Sequence, residues 1–323
     1  MKLGVLTNLL GNEPFEQALA YFKSIGLEMI EVGAGGYPGT QHANPDVLLN
    51  DEKALEEFKA TVAKYGLEIS ALSCHANPVH PNKQIAAKFD SAIKKTILLA
   101  EKLGIHQINT FSGCPGDCES SENPNWVTCA WPSEYAKVVE WQWNEKLIPY
   151  WKETVKFAKA HGVNKIAFEM HPGFCVYNPE TLLRLRKAVG EEIGANLDPS
   201  HLIWQGMDPV AVIKELGKEN AIFHFHAKDT KIDKYNTAVN GCNDYKSYTD
   251  FANRSWSFRA VGYGNDISYW KDIISALSIV GYDYAISIEH EDGLMSPKEG
   301  LEKAVEVLKD TLIKEANCNM WWA

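Results

Sequence analysis

Lys165-Ile166-Ala167-Phe168-Glu169 is apolar along most of its body and ends in a carboxylate. Three further stretches share that form: Ile193-Gly194-Ala195-Asn196-Leu197-Asp198, Ile222-Phe223-His224-Phe225-His226 and Ile286-Ser287-Ile288-Glu289. Each reads as a buried β-strand with an ionisable side chain at its tip. Such tips are uncommon in purely structural strands, because a buried charge needs a partner. In a (β/α)8 barrel the C-terminal strand tips carry the active site. The four tips therefore predict an α/β TIM barrel and locate its chemistry.

Outward from these stretches, short apolar strands alternate with amphipathic helices, the pattern of a parallel sheet. Strands are expected near 2–7, 28–33, 68–74, 106–111, 164–169, 193–198, 221–226 and 284–289. Helices are expected near 14–25, 51–65, 83–103, 136–161, 179–190, 209–217, 266–280 and 297–315. Five helices run into a glycine stop, as in Lys64-Tyr65-Gly66 and Lys102-Leu103-Gly104. Eight units close a barrel, and no glycine-rich phosphate fingerprint follows the first strand, so a doubly wound open sheet ranks lower. The expectation is a single barrel domain over 1–323. Two βα loops, 112–135 and 229–265, are long and rich in aromatic or polar residues; they read as functional loops without secondary structure of their own.

Acidic residues outnumber basic ones 42 to 32, a net charge of −10. Such a field disfavours nucleic acid as a partner. No apolar run approaches the roughly 20 residues of a membrane helix, and no secretory signal pattern opens the chain. The seven cysteines are scattered, which suits reduced thiols and a cytoplasmic setting. Cys114, Cys118 and Cys129 read as loop thiols rather than zinc ligands, because no fourth ligand stands at the usual spacing. The tail Asn317-Cys318-Asn319-Met320-Trp321-Trp322-Ala323 reads either as an association patch or as a segment folded back on the barrel. An oligomer is expected.

Two Glu, one Asp and one His at four strand tips make a divalent-metal site. No matching set of Lys or Arg at neighbouring tips would otherwise neutralise the carboxylates. Side chains alternate along a strand, so Glu169 and His171, His224 and His226, and Glu289 and Glu291 point alike in pairs. His226 lies nearer the tip than His224 and is assigned as the ligand, with His224 a layer below. Glu169, Asp198, His226 and Glu289 suit Mn²⁺ or Mg²⁺ better than Zn²⁺ or Co²⁺. No organic cofactor is indicated. Lys228 is expected to pair with Asp229 or to meet substrate, the ion pair being favoured.

The motifs Phe168-Glu169-Met170-His171-Pro172, Asp198-Pro199-Ser200-His201, His224-Phe225-His226-Ala227-Lys228-Asp229 and Ser287-Ile288-Glu289-His290-Glu291-Asp292 resemble those of the xylose isomerase-like TIM barrels, over nearly the whole chain. In the ketose 3-epimerases of that group, positions matching Glu169, Asp198, His226 and Glu289 hold Mn²⁺ or Mg²⁺. The resemblance further implies substrate contacts for His201 and for Arg259. The endonuclease branch resembles the chain less well. Its additional His and Asp ligands have no counterpart in Ile108-Asn109-Thr110-Phe111-Ser112-Gly113 or in Trp256-Ser257-Phe258, and only His75 remains as a candidate.

A metal among carboxylates can polarise a sugar carbonyl and acidify the adjacent C–H. Glu169 and Glu289 would then act as acid and base on two faces of the substrate, with His171 and His201 orienting hydroxyls. His171 has a second reading, as a group that fixes Glu169. Trp126, Trp131, Trp141, Trp143 and Trp151 crowd the fourth βα unit, with Trp256 and Phe258 in the other long loop. Trp141 and Trp151 are assigned to helix packing. The others suggest a flat pocket for an aromatic aglycone, with His75, Phe111, Trp126 and Lys228 among the substrate contacts. The favoured expectation is a catalytic subunit resembling the bacterial C-glycoside deglycosidases, paired with a small β-rich subunit. There the resemblance makes His171 the base that starts β-elimination from a 3-oxo-glycoside. The alternative is a sugar isomerase or epimerase acting on a free ketose.

Overall fold

The computed structural model describes residues 1–315, 320 and 322; the tail motif falls mostly outside them. Among the described residues ten strands occur in chain order: β1 (Lys2–Leu6), β2 (Met29–Gly33), β3 (Glu68–Ser73), β4 (Gln107–Thr110), β5 (Lys165–Glu169), β6 (Ile193–Leu197), β7 (Ile222–Ala227), β8 (Asp229–Ile232), β9 (Trp256–Arg259) and β10 (Ala285–Ile288). Eight of them close a barrel in the order β1-β10-β7-β6-β5-β4-β3-β2, and every barrel pairing is parallel. The expected strands and the barrel are therefore found within a residue or two of their sequence positions.

The helices covering the barrel begin where the sequence supplies caps. Asp51 accepts the Ala54 amide at the start of Glu52–Lys64, and Asn178 forms a capping box with Thr181 at the start of Pro179–Val189. Lys83–Leu103 stops at Gly104, whose φ of 68° is left-handed. Their apolar faces and the strands bury one continuous core that includes Phe22, Trp151, Phe168, Phe225 and Trp270. Among the described residues, no helix is long and apolar enough to cross a membrane.

Two expectations change. The helix expected over 136–161 is a rod of three parts: Glu134–Trp141, a π-helical segment Gln142–Leu147, and Ile148–Ala160. Pro149 has no N–H to donate into the preceding turn, which favours a wider winding there. The widened segment buries Gln142 and Trp143, and Gln142 donates to the carbonyls of Gly116 at 2.9 Å and Asn125 at 2.6 Å. The rod thus holds the first long loop.

The second long loop does have secondary structure. Its ends pair as an antiparallel ribbon, β8 with β9, and Lys234–Asn240 forms a helix capped by Asp233. Asp244 binds the amides of Lys246 and Ser255, and Trp256 stacks on Trp204 with ring centroids 4.6 Å apart. The ribbon stands directly beyond β7 and so beside the strand tip that carries His226.

Candidate metal centre

Each of the four tip residues is delivered by its own strand. Glu169 ends β5 and His226 lies in the last turn of pleat of β7. Asp198 follows β6 and caps the helix Pro199–Trp204 through Oδ1, which accepts the Ser200 amide at 2.8 Å. Glu289 follows β10. One donor atom from each of Glu169, Asp198, His226 and Glu289 lies within 4.8 Å of all the others, so the barrel brings together the quartet expected from sequence.

Below the quartet lies a layer in which His224 was expected and Glu31 was not. Glu31 on β2 is fully buried. Its Oε1 accepts from Ser73 and from Asn109 at 2.8 Å. Its Oε2 accepts from Ser287 at 2.8 Å and meets Nε2 of His226 at 2.8 Å. Burial alone would raise this carboxyl's pKa, but His226 and His224 outweigh it and hold it well below the usual range. The signal was present as a single acid inside the otherwise apolar Met29-Ile30-Glu31-Val32. Glu31, His224 and His226 also lie close enough to suggest a cation site. Both nitrogens of His224 are engaged, however, at 3.0 Å from Asn196 and 3.0 Å from Ser70. Glu31 likewise has its hydrogen bonds complete, so this trio is satisfied by protein alone.

The upper quartet is not satisfied in that way. His226 Nε2 is spent on Glu31, leaving Nδ1 toward the mouth. There it faces Glu289 Oε2 at 3.0 Å and Glu169 Oε2 at 3.4 Å. Nδ1 of His226 and Oδ2 of Asp198 are buried and make no hydrogen bond. A ring nitrogen lone pair beside carboxylate oxygens is repulsive until either a proton on the ring or a cation between them supplies positive charge. Burial lowers the basicity of His226, but Glu31 and Glu289 outweigh it and raise it well above the ordinary histidine range. The pocket thus favours added positive charge, and its three oxygens and one nitrogen fit a hard divalent ion.

Histidines hold the first carboxylate. Nε2 of His201 stands 2.9 Å from Glu169 Oε1, and Nε2 of His75 stands 3.0 Å from Oε2. Burial would raise the Glu169 pKa, and these contacts with His201, His226 and His75 bring it well below the usual value. His171 bonds instead to the Pro172 carbonyl, with its ring 4.1 Å from that of His201 and 4.9 Å from Phe111. The task of fixing Glu169, one reading of His171, thus falls to His201, whose Nε2 is hydrogen-bonded to Oε1, while Nε2 of His75 lies near Oε2 without a hydrogen bond. Burial, then the neighbouring His201, push the His171 imidazole down to about 3. Phe111 also meets His75 at 4.7 Å and stacks on Phe174 at 4.3 Å, giving one wall of the mouth. Phe258, 5.3 Å from His201, gives another.

Three expected contacts are differently employed. Lys228 does not pair with Asp229. That aspartate receives the amides of Gly262, Gly264 and Asn265 and the indole of Trp270. A Cβ at Gly264 would stand 2.5 Å from Asp229 Oδ1, so the close approach requires glycine. Arg259 binds Asp292 through Nε at 2.8 Å. Trp126 packs against Tyr177 at 5.4 Å and lines a cavity of about 360 Å³ with Cys129, Trp143 and Arg184, to which none of the quartet contributes. Of the other tryptophans, Trp131 is 79 % exposed, and Trp143 and Trp151 are buried. The indole of Trp151 donates to the Ser112 carbonyl at 2.8 Å, in keeping with its packing role.

Comparison with known proteins agrees with the architecture. The chain is 41 % identical over 314 residues to the uncharacterized protein YfiH of Bacillus subtilis (strain 168), covering 97 % of this chain and 99 % of that one. The structure superposes on D-psicose 3-epimerase with D-tagatose from Clostridium cellulolyticum H10 at a TM-score of 0.63 and 14 % identity, over 96 % of this chain and 98 % of the epimerase. It superposes on the IolI protein with a bound zinc atom at a TM-score of 0.62 and 20 % identity, over 97 % and 98 % of the two chains. At those identities the two superpositions speak to the fold. The sequence pattern of one family matches residues 19–311, and on that match the chain belongs to the xylose isomerase-like TIM barrels.

Proposed function

We propose that the protein is a sugar isomerase or epimerase that moves a proton next to the carbonyl of a free ketose through an enediolate. The observation that carries this reading is the convergence of Glu169, Asp198, His226 and Glu289 on one point, with unsatisfied donor atoms turned toward it. A divalent ion held there, for which Mn²⁺ is our first choice, supplies Lewis-acid polarisation of the substrate carbonyl. Glu169 and Glu289 come from strands on different sides of the mouth and serve as the acid/base pair on the two faces of the reacting carbon. His201 holds Glu169 in place through its hydrogen bond to Oε1, with His75 close to the other oxygen. His171, whose basicity is lowered by burial and by the neighbouring His201, lies between His201 and Phe111 and is assigned to orienting a hydroxyl. Phe111 and Phe258 offer apolar faces to the C–H side of a sugar ring. An epimerase and a zinc-bound protein among the superposed structures support the reading by fold.

β-Elimination of an aromatic aglycone ranks second. It drew on Trp126 and its neighbours as a flat wall and on His171 as base. Trp126 lines a cavity to which none of the quartet contributes, which removes the observation that favoured an aromatic aglycone. The deciding experiment incubates Mn²⁺-loaded protein with a panel of ketoses in D₂O and, separately, with a 3-oxo C-glycoside. Deuterium uptake at the carbon beside the carbonyl, abolished in Glu169→Gln, supports the isomerase or epimerase. Aglycone release without exchange into any free ketose overturns it.

A further inference from the structure

We propose that Lys228 is a resident cation of the carboxylate cage, sharing Asp198 and Glu289 with the divalent ion and thereby setting how tightly that ion is held. Lys228 is 2 % exposed. Its Nζ lies 2.8 Å from Glu289 Oε2, 3.0 Å from Asp198 Oδ2 and 3.1 Å from Glu291 Oε2. The Asp198 contact is an ion pair out of line for a hydrogen bond, since Oδ2 has no hydrogen-bond partner. The ring of Phe258 closes over the ammonium at 4.7 Å, so water reaches it poorly and the carboxylates are its natural partners.

Charge balance makes the arrangement intelligible. Glu169, Asp198 and Glu289 bring three negative charges, and His226 acting as a ligand is neutral. A divalent ion alone leaves one negative charge buried. Lys228 supplies the balancing positive charge, at the price of repelling the ion across shared oxygens. Before the ion binds, the same ammonium keeps Asp198 and Glu289 from repelling each other, so the cage stays assembled. The lysine thus stabilises the empty cage and weakens the filled one.

This inference rests on the metal reading of the cage and not on the choice of substrate. Metal-stripped wild type, Lys228→Met and Lys228→Arg are titrated with Mn²⁺ by calorimetry and melted with and without the ion. Lys228→Met keeps the chain length and removes the charge; it is expected to bind Mn²⁺ about tenfold tighter or more, to melt lower without metal and to gain more on loading. Lys228→Arg keeps the charge on a bulkier, planar head and is expected to bind Mn²⁺ no tighter than wild type. If Lys228→Met is recovered only with metal bound, competition against a chelator of known affinity reads the same constant. Unchanged or weaker binding in Lys228→Met overturns the inference alone. Failure of wild type to bind any Mn²⁺ removes both the inference and the metal reading, whereas absence of ketose turnover with normal Mn²⁺ binding bears only on the proposed function.

Discussion

Nε2 of His226 lies 2.8 Å from Oε2 of Glu31, and both side chains are completely buried. They come from β7 and β2, three steps apart round the barrel. The contact decides which ring nitrogen faces the mouth. A histidine that spends one nitrogen on a carboxylate presents the other in a fixed direction, the arrangement that outer-sphere partners give metal-binding histidines.

Glu31→Gln keeps the shape of that partner and removes its charge. Metal affinity is expected to fall about 10- to 100-fold, with a loss of about 3–5 kcal/mol in unfolding free energy from the broken buried pair. Calorimetric titration and urea denaturation read the two effects. The stoichiometry should remain one ion per chain; a fall from two ions to one would mean that Glu31 is itself a ligand.

Removal of metal should lower thermal stability, because Lys228 by itself leaves the three buried carboxylates with excess negative charge. Dialysis against a chelator should reduce the melting temperature. Restoring free Mn²⁺ to about 100 times its dissociation constant should regain about 2.7 kcal/mol. In Asp198→Asn the scan with Mn²⁺ should lie close to the scan without it.

The aromatic residues separate into those of the mouth and those of the scaffold. Phe111→Ala removes a ring in contact with His75 and His171 and should raise KM for the proposed ketose substrate about three- to tenfold, the worth of one aromatic contact. Trp126→Ala should leave that KM unchanged, since its cavity lies apart from the quartet. Trp151→Ala should destabilise the fold by about 3–5 kcal/mol, measured by denaturant unfolding.

Asp244 ties the second long loop together. It accepts amide hydrogens from Lys246 at 3.0 Å and Ser255 at 2.7 Å and pairs with Lys246 Nζ at 3.0 Å. Burial works against its ionisation, but these partners and Arg254 bring the carboxyl down to about 2. A carboxyl lower in the folded than in the unfolded chain stabilises above the unfolded pKa, near 4. That contribution is lost as pH falls through the folded value near 2. Hydrogen exchange over 233–255 should therefore quicken as pH drops from 4 to 2, after correction for intrinsic exchange. Asp244→Asn should show the quickened, corrected rates already at pH 7, a loss of about 1–2 kcal/mol of local stability.

The barrel was legible because its determinants are local. Apolar strand bodies, glycine stops and capping residues act over a few positions, so the strands fell where the periodicity put them. The quartet was legible for a related reason: all four residues stand at strand tips, and parallel strands in a barrel bring their tips to one face. The π-helical widening around Gln142 was not legible, since it depends on which loop carbonyls that side chain can reach. The ribbon of β8 and β9 was missed because its two short strands, at 229–232 and 256–259, pair across a long intervening segment that includes a helix of its own.

What the linear order alone determined is thus the alternation of elements and the identity of the four tip residues. The closed barrel decided the rest. It set Glu31 beneath His226, although 195 positions separate them, and it gave Lys228 to Asp198, Glu289 and Glu291 rather than to its neighbour Asp229. Lys228 sits at the break between β7 and β8, and the Asp229 carboxylate is taken up by the amides of Gly262, Gly264 and Asn265. Which charges meet inside a barrel is a property of register and closure, and no window of sequence contains it.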